Sequence, residues 1–131
     1  MRPGIASVVL VAALTAGGCG ASAPEQVAAK VRQFADAAKR RDYHTICDQV
    51  LAPALVSRLT GNGIACEQAM EVALGSVQEP TISVGKVTVN GDKATAITLS
   101  MARNQPSELD AIKLVQTDSG WRISALASPL R

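Results

Sequence analysis

Aromatic side chains are nearly absent: Phe34, Tyr43 and Trp121 are the only three in 131 residues. Stacking platforms for bases or sugars are therefore scarce. An excess of one charge is missing too. Thirteen Lys and Arg face eleven Asp and Glu, and losing Arg2 with the leader described below leaves a nearly neutral chain. That balance gives no electrostatic footprint for nucleic acid. Histidine occurs once, at His44, with no Cys/His pairing of the zinc type, so neither a metal nor a cofactor is expected. No nucleophile elbow or phosphate loop is present. No apolar run reaches the roughly 20 residues that a membrane-spanning helix needs.

What is present begins with an address. Arg2 is a short positive region, Ile5 to Leu14 is apolar, and Thr15-Ala16-Gly17-Gly18 is a run of small residues. Residues 1–18 therefore read as a secretory signal peptide. The small run ends at Cys19, and there the sequence resembles a bacterial lipoprotein signal with its lipobox. An aliphatic residue is usual three places before that cysteine, and here Ala16 stands there. The resemblance implies cleavage before Cys19 and a diacylglyceryl group on its sulfur. It places the chain on the extracytoplasmic side of the cell membrane, with the membrane itself as one partner. Residues 19–23 then form the lipidated cysteine and a short tether, and 24–131 form one domain. Each buried methylene adds about 0.8 kcal/mol, so two or three acyl chains would hold the domain stably.

The first half of that domain reads as helix. Ser22 and Glu25 have capping-box spacing, with Pro24 in the first turn. Val27, Val31, Phe34, Ala35 and Ala38 form one apolar stripe, closed by the cationic Lys39-Arg40-Arg41. That cationic run is read as a solvated helix end. Asp42 can cap a second helix with Tyr43, Ile46, Cys47, Val50 and Leu51 as its stripe. Pro53 breaks it, and Ala54–Leu59 resumes as a short helix. A third stripe is Cys66, Ala69, Met70, Ala73 and Leu74, stopped by Gly75. Cys47 and Cys66 lie on stripes of neighbouring helices in a chain read as exported, where oxidation is permitted. A disulfide between them is expected; two buried free thiols or a metal site are the rival readings.

The second half reads as four strands: Thr81–Val89, Lys93–Met101, Ala111–Thr117 and Trp121–Leu126. Thr95, Ile97, Leu99 and Met101 share one face of the second strand, read as its buried face by alternation. Trp121, Ile123 and Ala125 share one face of the fourth. Asn90-Gly91-Asp92 and Asp118-Ser119-Gly120 are tight-turn signals, and Gly85-Lys86 shifts the alternation as a bulge would. Helices followed by a curved, four-stranded antiparallel sheet make an α+β layout.

This order resembles the nuclear transport factor 2-like superfamily, the cone-shaped α+β fold shared with ketosteroid isomerase and polyketide cyclases. The resembling residues are Phe34-Ala35, Arg41-Asp42-Tyr43, Val87 to Ala94 across the first hairpin, and Leu114-Val115 with Gly120-Trp121-Arg122-Ile123 across the last. They mark strands, turns and core, and the superfamily includes both enzymes and non-enzymes. Dimerisation through the open sheet face is common in it and is compatible with this chain. Its isomerases keep an acid, base or oxyanion donor deep in the cone. Here the inward strand positions read as Ile, Val, Leu, Ala, Thr and Ser. Asp92, Asp110 and Asp118 read as strand ends or turns, and Lys86, Lys93, Lys113 and Arg122 as the wet face. The best polar group is Tyr43, His44 and Asp48, a pocket or surface cluster. His44 and Asp48 are one helical turn apart and could pair as a base and its orienting carboxylate. The apolar stripe turns His44 outward, however, which favours a surface role. The expected function is a non-catalytic, lipid-anchored domain that binds a small apolar ligand or a partner protein. A cone-pocket enzyme of isomerase or cyclase type is the alternative.

Overall fold

The computed structural model describes residues 20–129, with side chains to Leu126. The leader and Cys19 lie outside the described residues. Helix α1 spans Ala23–Arg40. The Ser22 hydroxyl accepts the Glu25 N–H at 3.4 Å, Pro24 sits in the first turn, and Lys39 and Arg40 face the negative end of the dipole. Arg41 takes a left-handed conformation (φ 56°) and ends the helix. Val27, Val31, Ala37 and Ala38 are buried against the sheet. Phe34 and Ala35 are half-buried beside a cavity described below.

The second helix is shorter and wider than its stripe suggests. α2 is one turn, Tyr43–Thr45, continuing as a π-helical turn over Ile46–Val50. Both Asp42 oxygens cap it, accepting the Thr45 N–H at 3.1 Å and the Thr45 hydroxyl at 2.7 Å. Pro53 disfavours helical geometry in the residue before it, and Ala52 is extended (ψ 142°). The freed backbone then joins the sheet: Leu51 bridges Ile123 in parallel, and the Ala52 N–H donates to the Ile123 carbonyl at 2.8 Å. Pro53 opens α3 (Pro53–Thr60), and α4 runs over Cys66–Leu74. The Cys47 and Cys66 sulfurs lie at disulfide distance, 2.02 Å, with Cα atoms 6.1 Å apart. The staple therefore joins the π-turn to α4. The Arg41 guanidinium donates to the Gly75 carbonyl at 2.8 Å and ties the ends of α1 and α4 together.

The sheet is an antiparallel meander in chain order: β1 (Thr81–Asn90), β2 (Lys93–Met101), β3 (Glu108–Thr117) and β4 (Gly120–Pro129). Asn90 pairs with Lys93 around a turn in which Gly91 has φ +61°. The register of β1 shifts between Val84 and Val87, at the Gly85-Lys86 bulge. β3 and β4 slip twice as well: Leu114 faces Ile123, whereas Lys113 faces Ala125. Such bulges bend the sheet. Leu114, Trp121 and Ile123 are buried with Ile46, Leu51 and Met70. Each aliphatic among them is worth roughly 1.5–3 kcal/mol in apolar burial.

One face assignment is reversed. On β2 the helix-covered side chains are Ala94, Ala96 and Thr98. The larger set, Thr95, Ile97, Leu99 and Met101, lies on the opposite, outer face, where Leu99 is 39% and Met101 47% exposed. Both sets alternate equally well, so period alone does not choose between them. Small side chains let the helical layer approach the strand closely. Ala125 faces outward for a related reason: the extra residue at Ser124 flips the phase of β4 after Ile123.

Candidate functional site

Between α1, α4 and the sheet lies a cavity of about 330 Å³. Phe34, Ala35 and Ala38 form its α1 wall, and Met70, Ala73 and Leu74 form its α4 wall. Pro80 and Ile82 of the β1 side, Ile112 of β3 and Leu126 of β4 complete an almost wholly apolar lining. The volume falls at the small end of ligand pockets, which run from roughly 300 to 1,000 Å³. A second, open groove of about 600 Å³ lies between α3 and β2–β4 and is lined in part by Arg58, Lys93 and Lys113, all exposed.

The apolar cavity has one polar end, built from Thr98, Ser100 and Asp110. This corrects the expectation that Asp110 belongs to a strand end or turn. β3 begins at Glu108, so Asp110 lies inside the strand, and it is only 5% exposed. Its Oδ2 accepts the Ser100 hydroxyl at 2.9 Å. Thr98 is its register partner across β2 and β3, is 1% exposed, and its Oγ1 has no hydrogen-bond partner among the described residues. A buried hydroxyl without a partner is costly, on the order of 1–3 kcal/mol. The inward strand positions are therefore not free of ionisable groups. The signal was available: Ile112 and Leu114 are inward, and stepping back by two reaches Asp110.

The polar cluster anticipated on α2 lies elsewhere. None of Tyr43, His44 and Asp48 lines the cavity. His44 and Asp48 are exposed, and Tyr43 is half-buried with its hydroxyl unpartnered among the described residues. The partner of His44 is not Asp48 but Glu67 of α4, whose Oε1 lies 2.9 Å from Nδ1. That hydrogen bond, reinforced by the Glu67 charge, raises the imidazole above its ordinary value. The pair sits directly beside the cysteines: Glu67 follows Cys66, and His44 is one turn before Cys47. It reads as a clasp between α2 and α4. Asp42 is held below the usual carboxylate range by the Thr45 hydroxyl, and then by the Thr45 N–H. Both residues are exposed enough to be screened by solvent. Lys30 is pushed down by partial burial and by the nearby Arg122. Its ammonium donates to Gln33 Oε1 at 2.7 Å and to the Gln49 carbonyl at 3.1 Å. These interactions hold the π-turn against α1 and leave the cavity to Asp110.

No family model and no curated protein sequence matches the chain. Solved structures do. A protein of unknown function from Silicibacter pomeroyi aligns with a TM-score of 0.56 at 14% identity, covering 81% of this chain and 94% of its own. A second, from Shewanella baltica, gives 0.56 at 12% identity, over 82% and 93%. Both are described as nuclear transport factor 2-like. A candidate ketosteroid isomerase from Kribbella flavida gives 0.51 at 13% identity, over 82% of each chain. At such identities the likeness concerns the backbone alone. With helices on one face of a bent antiparallel meander and a cavity between them, the chain has the nuclear transport factor 2-like fold.

Proposed function

We propose that the chain is an exported domain, held on the extracytoplasmic side of the membrane through Cys19, that binds a small apolar ligand without transforming it. The observation that carries this reading is the cavity of about 330 Å³ with apolar walls contributed by α1, α4 and the sheet. A compact chain gains nothing from an empty apolar space, because each lining side chain forfeits contacts there. Asp110 is the one ionisable side chain in the lining. A catalytic cavity normally combines groups with divided roles, such as a base with an oxyanion donor. The test is native mass spectrometry of the full chain extracted from membranes. The expected result is a retained small molecule that is absent from an Ala35→Phe variant, in which the cavity is filled. A chain that carries nothing, and binds no apolar probe, would overturn the reading. The intact mass also reports Cys19: a mature N-terminus elsewhere, or no acyl mass, removes the anchor.

One observation favours a second reading, a cone-pocket enzyme of isomerase or cyclase type: a carboxyl group does stand inside the cavity. Asp110 could take a proton from the carbon between a carbonyl and a double bond and return it to the far carbon of the original double bond. A hydroxyl of Thr98 or Ser100 would face the developing oxyanion. Conversion of a β,γ-unsaturated ketone to its conjugated isomer, lost in Asp110→Asn, would establish it. Rates equal to those of the variant would exclude it.

A further inference from the structure

Resting on the ligand-binding reading, and going one step further, we infer that the ligand of this cavity is an apolar molecule whose polar end is a protonated amine, seated against Asp110. The apolar walls specify the body, and the carboxylate at the polar end specifies the head. Ser100 has a single hydroxyl proton with two acceptors in range, Asp110 Oδ2 at 2.9 Å and the Glu108 carbonyl at 3.4 Å. Its proton goes to the nearer carboxyl oxygen. The other carboxyl oxygen, Oδ1, has no hydrogen-bond partner among the described residues. No Lys, Arg or His lines the cavity, and Asp110 forms no ion pair among the described residues. Directly across the strand pair, the Thr98 oxygen is buried and also unpartnered.

The polar end of the cavity therefore offers an acceptor, Asp110 Oδ1, that no other described side chain uses. A carboxylate only accepts, a hydroxyl does both, and an ammonium carries three donors and no acceptor. An ammonium at this position would pair with Asp110 Oδ1 and supply the positive charge that the lining lacks. A buried carboxylate without a counter-charge is expensive, and pairing relieves that cost. Charge-assisted hydrogen bonds are also the stronger kind. An ether or carbonyl head would set its acceptor against the Asp110 carboxylate, which only accepts. A phosphate or carboxylate head would add a second negative charge.

The test uses the full chain in lipid discs, with empty discs as the reference, and three probes of one body: 2-methylnaphthalene, 2-methoxynaphthalene and 2-naphthylmethylamine. At neutral pH the amine is expected to bind at least tenfold more tightly than the hydrocarbon, and the ether no more tightly. In Asp110→Asn the amine should fall to the level of the hydrocarbon, whose own affinity stays within about twofold. Equal affinities in the wild-type chain, or preference for the ether, would overturn the amine head while leaving an apolar-ligand pocket standing. Failure of all three probes would overturn the pocket itself. Should Asp110→Asn not fold, the wild-type ratio of amine to hydrocarbon decides the matter alone.

Discussion

At the scale of single residues, the most informative side chain is Thr98, fully buried with an idle hydroxyl. Valine has nearly the same shape and nothing to satisfy. Thr98→Val should therefore stabilise the ligand-free chain by about 1 kcal/mol in urea unfolding. A loss of that size would mean that the hydroxyl has a partner. His44 supports a prediction in pH. Its folded-state value lies above the unfolded value because of Glu67. Its contribution is thus fully present below the unfolded value near 6.5 and is lost as pH rises through the folded one. Melting temperatures across that window should fall with rising pH in the wild-type chain, and less so in Glu67→Gln. Asp42 works in the opposite sense. Its lowered value stabilises above the ordinary carboxylate range and gives way as pH drops through the folded value. Of these residues, the Asp42 cap was legible in the sequence, because a cap is a local interaction. Glu67 as the partner of His44 was not, since 23 positions separate them and only the fold brings them together.

At the scale of elements, the link between the π-turn and α4 should matter most. It closes a loop of 19 positions, worth about 3 kcal/mol by chain entropy. Reduction, or paired Cys47→Ser and Cys66→Ser, should lower the urea midpoint accordingly without abolishing the sheet. Ready alkylation of both thiols before reduction would show that the link does not form. Helices, hairpins and the Gly85 bulge were readable because caps, turn residues and alternation are written locally. Two things were not. The faces of β2 were exchanged, since Ala94-Ala96-Thr98 and Ile97-Leu99-Met101 alternate equally and only the approach of the helices selects the smaller set. And the start of β3 is masked by Pro106 and the polar loop around it, so a strand read from Ala111 leaves Asp110 one position outside although the alternation of Ile112 and Leu114 points to it. That single position changed the chemistry of the cavity.

At the scale of the whole molecule, the exchanged faces leave a greasy exterior. Leu99 and Leu109 are register partners on the outer surface, and Met101 lies beside them. A second copy of the chain, meeting this one face to face, is the expected cover. Sedimentation should then report a dimer that Leu99→Lys converts to monomer; a wild-type chain that stays monomeric at high concentration would refute this. Among the described residues no helix is long and apolar enough to cross a membrane.

The stub at Leu51 has a further consequence. By bridging Ile123 it occupies part of the unpaired backbone along β4, while on the other flank β1 is broken by its bulge and carries Lys86 there. Exposed strand flanks invite fibril growth, and this chain blunts both. Crowded together, neighbouring molecules would find on neither flank an uninterrupted row of backbone groups to zip onto.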